Sequence, residues 1–82
     1  MISSRQIRAG RALLGWSQLV LAERAGVSPI TIKRLEASGD VLEARVATVE
    51  AVTRALERAG VVFLPDGDGR RDGVQLADLR RR

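Results

Sequence analysis

The residues best suited to do chemistry in this chain are cationic and lie close together. Lys33 and Arg34 follow shortly after Ser28 and Pro29. A guanidinium donates paired hydrogen bonds to a phosphate or to the O6 and N7 atoms of guanine, and an ammonium donates to the same atoms as a point charge. This chemistry favours a polyanionic partner, with nucleic acid ahead of an anionic membrane surface.

Two residue types that commonly support catalysis or bind metals are absent from the chain. The 82 residues include no histidine and no cysteine, which removes disulfides, thiol nucleophiles, imidazole bases and the ordinary zinc sites. Residues 66–69 begin like a calcium loop, but Ala77 stands where such a loop needs glutamate. Asp40, Glu43 and Asp66 are interpreted as caps, turns and solvated charges. We therefore expect no enzyme activity, no cofactor and no metal.

The positive charge is unevenly distributed. Residues 1–36 have a net charge of +4, residues 37–64 have −1, and residues 65–82 have +1. The composition, 45% hydrophobic and 29% charged, is that of one globular domain. No stretch reaches the roughly 18 apolar residues of a membrane span, and no signal peptide is recognisable. We expect a cytoplasmic, nucleoid-associated protein with no membrane partner.

Two short helices around a tight corner are predicted to position the cationic pair. Ser17 caps a helix of about Gln18 to Ala25, Gly26 supplies the positive φ of the corner, and Ser28 caps the next helix with Pro29 at its first position. Such a unit lays its second helix into the major groove of DNA. The outward residues of that second helix are Pro29, Ile30, Lys33 and Arg34.

Two further helices are expected to support this unit. The first runs from a serine cap at position 3 or 4 to about Leu14, with Gly10 placed to let another helix approach closely. The fourth follows a break at 38–40 and spans about Glu43 to Ala59. Helical spacing predicts that its inward residues are Val46, Val49, Val52 and Leu56.

A short hairpin is predicted after the fourth helix. Residues 61–64 are β-branched or apolar, turn residues follow at 65–69, and residues 74–76 form the returning strand. An isolated hairpin is marginal in water, so it should pack on the helices, on a partner chain, or on both. We therefore divide the chain into a DNA-binding domain at 1–60 and a dimerising hairpin and tail at 61–82. The expected dimer contacts are Val61, Phe63, Val74 and Leu76.

Residues 5–38 resemble the Cro and phage-repressor type of helix-turn-helix domain, also called the xenobiotic-response-element family. The matching positions are W-S-Q at 16–18, L-A at 21–22, G-V-S at 26–28, T-I at 31–32 and L-E at 35–36. The resemblance implies a mainly α, lambda-repressor-like fold of four to five helices with a short C-terminal β-hairpin. It also implies sequence-specific binding to double-stranded DNA.

The resemblance assigns roles to matching residues. Base contacts would come from Pro29, Ile30, Lys33 and Arg34. Arg34 would bind guanine O6 and N7, and Ile30 would touch a thymine methyl group. The phosphate contacts would come from Ser17, Gln18, Ser28 and Thr31.

Arg11 and Glu36 stand at positions where members of this family often have an arginine and a glutamate. The resemblance implies that Arg11 and Glu36 form a partly buried ion pair between the first and third helices, and we favour this role over direct DNA contact. Trp16 is interpreted as a core residue. Leu19 and Val20 depart from the family, which often has polar residues there. They are either scattered surface residues or a contact with the fourth helix, the hairpin or a second protein.

Two functions are consistent with these features. The first is a transcription regulator, more often a repressor, that binds an inverted-repeat operator as a homodimer. The alternative is an antitoxin that binds a toxin and represses its own operon. The chain lacks a long toxin-wrapping tail, which places the antitoxin second.

Overall fold

The computed structural model describes residues 2–37, 45–64 and 73–77. Its elements, in chain order, are α1 (Ser4–Leu14), α2 (Gln18–Ala25), α3 (Pro29–Ala37), α4 (Val46–Arg58), β1 (Val61–Phe63) and β2 (Val74–Leu76). The predicted mainly helical fold with a short two-stranded antiparallel sheet is confirmed. The predicted break at 38–40, the start of the fourth helix at 43–44, the turn at 65–69 and the tail beyond 77 lie outside the described residues.

Serine side chains start the first two helices. Ser3 Oγ accepts a hydrogen bond from the backbone N–H of Gln6 at 3.1 Å, and the Gln6 side chain accepts one from the backbone N–H of Ser3 at 2.9 Å. Ser17 Oγ accepts from the backbone N–H of Val20 at 3.1 Å. Each bond satisfies a donor that has no partner within its helix, which stabilises the helix by about 0.5–2 kcal/mol. Both helices therefore begin where the serines predict.

The core draws on all four helices. Its fully buried apolar side chains are Ile7 of α1, Leu21 of α2, Ile32 of α3, and Val52 and Leu56 of α4. α2 packs against both α3 and α4, and α1 packs against α3. Burying one such side chain stabilises the fold by about 1.5–3 kcal/mol. The orientation of α3 relative to α2 is thus set by burial of its inner face.

The prediction that Val46 faces inward is wrong. Val46 is 58% exposed, whereas the buried residues of α4 are Val49, Val52, Ala55 and Leu56. A three-residue step on a helix falls about 60° short of a full turn. The spacing from Val46 to Val49 to Val52 therefore drifts around the helix, and Val46 lies about 110° from the centre of the buried face.

The two strands form a ribbon that packs on α1. Val61 pairs with Leu76, Val62 with Gln75, and Phe63 with Val74. Flanking bonds extend the ladder at both ends, from Leu64 N–H to Gly73 O at 3.0 Å and from Ala77 N–H to Gly60 O at 2.7 Å. The ribbon is anchored to the helices through a hydrogen bond of 3.0 Å from Gln6 Nε2 to Gly73 O. The hairpin therefore packs on the helices, which is one of the arrangements predicted from the sequence.

Gly10 allows a close approach between α1 and the ribbon. A Cβ atom at this position would lie 3.3 Å from Val61 Cγ1 and 3.6 Å from Leu56 Cδ1. The nearest neighbour of Gly10 is therefore a residue of β1. A helix also approaches closely, as expected, but its nearest atom, on Leu56, lies slightly farther away. Val61 itself is only 2% exposed. The missing side chain of Gly10 gives Val61 room to enter the core.

Candidate nucleic-acid interface

The outer face of α3 is open to solvent. Pro29, Ile30, Lys33 and Arg34 are all exposed, and Ile30 is 62% exposed, while Ile32 and Leu35 on the other side are buried. A helix carrying two cations and an apolar side chain on its free face has the donors and the contact surface that the major groove accepts. The predicted base-contacting residues thus share one exposed surface.

The corner before α3 has the geometry of a tight helix-helix turn. Gly26 has φ +73° with open space around its missing side chain, so its backbone conformation favours glycine. The backbone N–H of Val27 donates to Ala22 O at 3.0 Å, which closes the end of α2. Ser28 Oγ then accepts from the backbone N–H of Thr31 at 3.2 Å and starts α3. Only three residues separate the two helices.

Arg11 and Glu36 form a two-pronged ion pair between α1 and α3. Arg11 Nε lies 2.7 Å from Glu36 Oε2, and Arg11 Nη2 lies 2.8 Å from Glu36 Oε1. The Glu36 side chain is 4% exposed and that of Arg11 is 22% exposed. Arg11 Nη1 also donates to Trp16 O at 3.0 Å, at the entrance to α2. One arginine therefore links the start of α2 to the end of α3.

Two further side chains join this network. Gln18 Nε2 donates to Glu36 Oε1 at 3.1 Å, and Arg8 Nη1 donates to the backbone oxygen of Glu36. The sequence analysis missed both contacts. Arg8 lies three residues before Arg11, so the two share a face of α1, and this spacing was an available signal. Together the four residues fix the last turn of α3 against the two other helices.

The environment of Glu36 favours its charged form. Burial by itself raises the pKa of Glu36, because an enclosed carboxylate loses hydration. Hydrogen bonds from Arg11 and Gln18, with the positive charges of Arg11 and Arg8, outweigh this effect and hold the pKa of Glu36 below its ordinary value. The hydrogen bond to Glu36 also raises the pKa of Arg11.

We expect acid to destabilise the fold through Glu36. Because the folded pKa is depressed, the contribution of Glu36 to stability is complete above the unfolded value of about 4.3 and is lost as the pH falls through the folded value. The measurement is the melting temperature of the chain and of the Glu36→Gln variant from about pH 7 to about pH 3. The gap between the two should shrink in acid; a gap that stays constant would contradict this assignment.

The residues expected to contact phosphate lie around the starts of α2 and α3. Ser17 is exposed and caps α2, while Ser28 caps α3 and lies 3.0 Å, Oγ to Oγ1, from Thr31. The amide nitrogen of Gln18 has two protons, of which the bond to Glu36 uses one. The second proton of Gln18 and the hydroxyl of Ser17 are thus side-chain donors available to an anion at the start of α2.

Trp16 packs against the core, as its interpretation as a core residue predicts. It is partly buried against the central cluster, and the Arg24 guanidinium lies 5.2 Å from its ring centroid. A cation over an indole ring contributes about 0.5–1 kcal/mol at an exposed site. This contact was not predicted from the sequence.

The structure distinguishes among the remaining predicted contacts. Leu19 is 56% exposed, and neither it nor Val20 belongs to the buried core or to the apolar residues packed against it. Val61 is buried in the chain's own core and offers no side-chain surface to a second copy. The other predicted dimer residues are partly buried, as Phe63 and Val74 are, or exposed, as Leu76 is.

Two short helices around a glycine corner, the second with a free cationic face, define a helix-turn-helix DNA-binding domain. A family model described as helix-turn-helix matches residues 7–59. The chain belongs to this family, of the Cro/C1 or xenobiotic-response-element type, and is a regulator that binds double-stranded DNA. A search of curated proteins finds no match to the chain. In the described residues, every helix is too short or too polar to cross a bilayer.

Proposed function

We propose that this chain is a repressor that occupies an inverted-repeat operator as a homodimer. The observation that carries the proposal is the exposed cationic face of α3, held by a corner and an ion pair that leave its base-reading residues free. A single recognition helix reads only a few base pairs. A two-fold dimer doubles the contact and places its half-sites about 34 Å apart, one turn of DNA.

Each side chain at the proposed interface has a distinct task. Arg34 binds O6 and N7 of a guanine, Lys33 reaches a base edge or a phosphate, and Ile30 covers a thymine methyl group. Pro29 contacts a base edge at the start of the helix. Because Pro29 and Ile30 donate no side-chain hydrogen bond, DNA shape contributes to recognition beside the two cations.

Phosphate contacts orient the domain on the duplex. In the proposed complex Gln18 donates its second amide proton to a phosphate while the first remains bonded to Glu36. Ser17, Ser28 and Thr31 supply hydroxyl groups from the starts of the same two helices. The network around Glu36 thereby couples the position of α3 to the position of the phosphate contacts.

The test is selection of binding sites from random duplexes, followed by hydroxyl-radical footprinting of the best site. We expect a motif with two-fold symmetry and half-sites about one helical turn apart. A reporter gene with this site overlapping its promoter should be silenced by the protein. A footprint over a single half-site at saturating protein would contradict the dimeric operator, and unchanged reporter expression at full occupancy would contradict repression.

A further inference from the structure

The exposed face of α3 offers hydrogen-bond donors and apolar surface, but no carboxylate or amide oxygen. The side chains of Lys33 and Arg34 only donate, and those of Pro29 and Ile30 neither donate nor accept. The one carboxylate of α3, on Glu36, is 4% exposed and is held by hydrogen bonds from α1 and α2. It is therefore turned away from the face that is open to a duplex.

This set of side chains reads only part of the major-groove code. Guanine presents its N7 and O6 acceptors, and thymine presents its O4 acceptor and a C5 methyl group, so donors and apolar side chains suit both bases. The amino groups of cytosine and adenine are recognised by carboxylate or amide oxygens, which the open face of α3 does not carry. In the proposed complex, α3 therefore selects guanine acceptors and pyrimidine methyl groups.

Ile30 and Arg34 are placed to contact neighbouring bases. They are four positions apart on the helix, so they are neighbours on one face, with Cβ atoms about 5–6 Å apart. Ile30 is 62% exposed, and within the described residues no hydrogen bond or ion pair holds the Arg34 guanidinium. Successive bases along a strand are about 3.4 Å apart, a step that a short and a long side chain from adjacent turns can span.

Ile30 has no means of distinguishing thymine from 5-methylcytosine. Both bases carry a methyl group on C5, and they differ at C4, where thymine has an acceptor oxygen and cytosine a donor amino group. A side chain without a donor or an acceptor contacts the methyl group and does not read the group at C4. Unmethylated cytosine lacks the one feature that Ile30 contacts.

We propose that α3 reads a pyrimidine–guanine step and that C5 methylation of a cytosine in this step strengthens binding. Ile30 packs on the pyrimidine methyl group, and Arg34 donates to N7 and O6 of the guanine that follows. TpG and 5-methyl-CpG are then preferred over unmethylated CpG. An operator with CpG in this place is thereby controlled by a cytosine-5 methyltransferase. This inference rests on the base contacts of the proposed function.

The size of the effect follows from the burial of one methyl group in each half-site. Removing a group of this size from water shifts a binding equilibrium by about fourfold. Each half-site should therefore gain about fourfold in affinity, and an operator with two half-sites should gain about fifteenfold.

The test places four bases in turn at the pyrimidine of the selected site: thymine, uracil, cytosine and 5-methylcytosine. Both half-sites are changed together, on the strand that carries the guanine, and the opposite base is always the matching partner. Uracil differs from thymine only by the methyl group, as cytosine differs from 5-methylcytosine. By fluorescence anisotropy, we expect each methylated base to bind about fifteenfold tighter than its unmethylated counterpart. Uracil equal to thymine, or 5-methylcytosine equal to cytosine, would overturn the proposal.

A protein variant assigns the methyl contact to its side chain. Ile30→Ala should bind the methylated and unmethylated duplexes of each pair with equal affinity. The matched control is Leu19→Ala, which shortens another exposed apolar side chain, 56% exposed and outside α3, and should keep the full difference. Retained methyl preference in Ile30→Ala, or a selected motif without a pyrimidine–guanine step, would contradict the assignment.

This inference and the proposed function can fail separately. A two-fold operator whose affinity ignores the methyl groups would overturn the methyl contact and leave the repressor in place. A methyl-dependent site with a single half-site, and a gain of about fourfold, would retain the contact and overturn the dimeric operator. A methyl-dependent site that leaves the reporter gene active at full occupancy would retain the contact and overturn repression.

Discussion

Replacing Lys33 and Arg34 together with alanine should abolish site preference without changing the fold. Both side chains lie on the exposed face of α3, so far-UV circular dichroism and the melting temperature should stay within error. A good bidentate contact to a base contributes about 1–3 kcal/mol of discrimination, and loss of both cations should reduce the ratio of specific to non-specific affinity by about 30-fold or more.

The control for charge is a double variant, Arg45→Ala with Arg58→Ala. It also removes two positive charges, but from exposed positions outside α3. Competition assays with the selected site and with a scrambled duplex should show a modest general loss of affinity and retained preference. If this control lost preference as fully as the α3 variant, net charge and not the face of α3 would account for recognition.

Replacing Arg11 with methionine should destabilise the fold by about 2–4 kcal/mol, because it leaves the buried Glu36 carboxylate without its main partner. For a domain of this size the melting temperature should fall by about 10 °C or more. DNA binding should weaken indirectly, through displacement of α3. Thermal denaturation and affinity are measured on the same preparation.

The double variant Arg11→Met with Glu36→Met is the informative comparison. Replacing both charges with apolar groups removes the unpaired carboxylate, so the double variant should be more stable than Arg11→Met alone. If DNA binding fell in Arg11→Met while the melting temperature held, the arginine would act on DNA directly and the structural role would be wrong.

The parts of the fold that sequence predicted well are those with local causes. Ser17, Gly26 and Ser28 each act within a few residues, through a cap or a backbone conformation, and α2 begins and ends where they indicate. The exposed face of α3 was also predictable from nearby residues, because the inward pair Ile32 and Leu35 fixes which side of the helix is free.

The parts that sequence predicted poorly depend on how distant segments meet. Val46 has the spacing of an inward residue but is exposed, because the direction of α4's buried face is set by its packing on α2, α1 and β1. The bond from Gln18 to Glu36 spans 18 positions, and local pattern contains no information on it. Gly10 correctly signalled a close approach, while the identity of Val61 as the neighbour required the path of the ribbon.

The central claim is that this chain binds duplex DNA through its cationic surface, and titration of duplex binding against salt tests it most directly. With roughly 6 to 10 phosphate contacts per dimer, the logarithm of affinity should fall with the logarithm of salt at a slope of about −5 to −9. Tight binding to the selected duplex at low salt, with much weaker binding to single strands, is the predicted result. Failure to bind any duplex at low ionic strength would contradict the account.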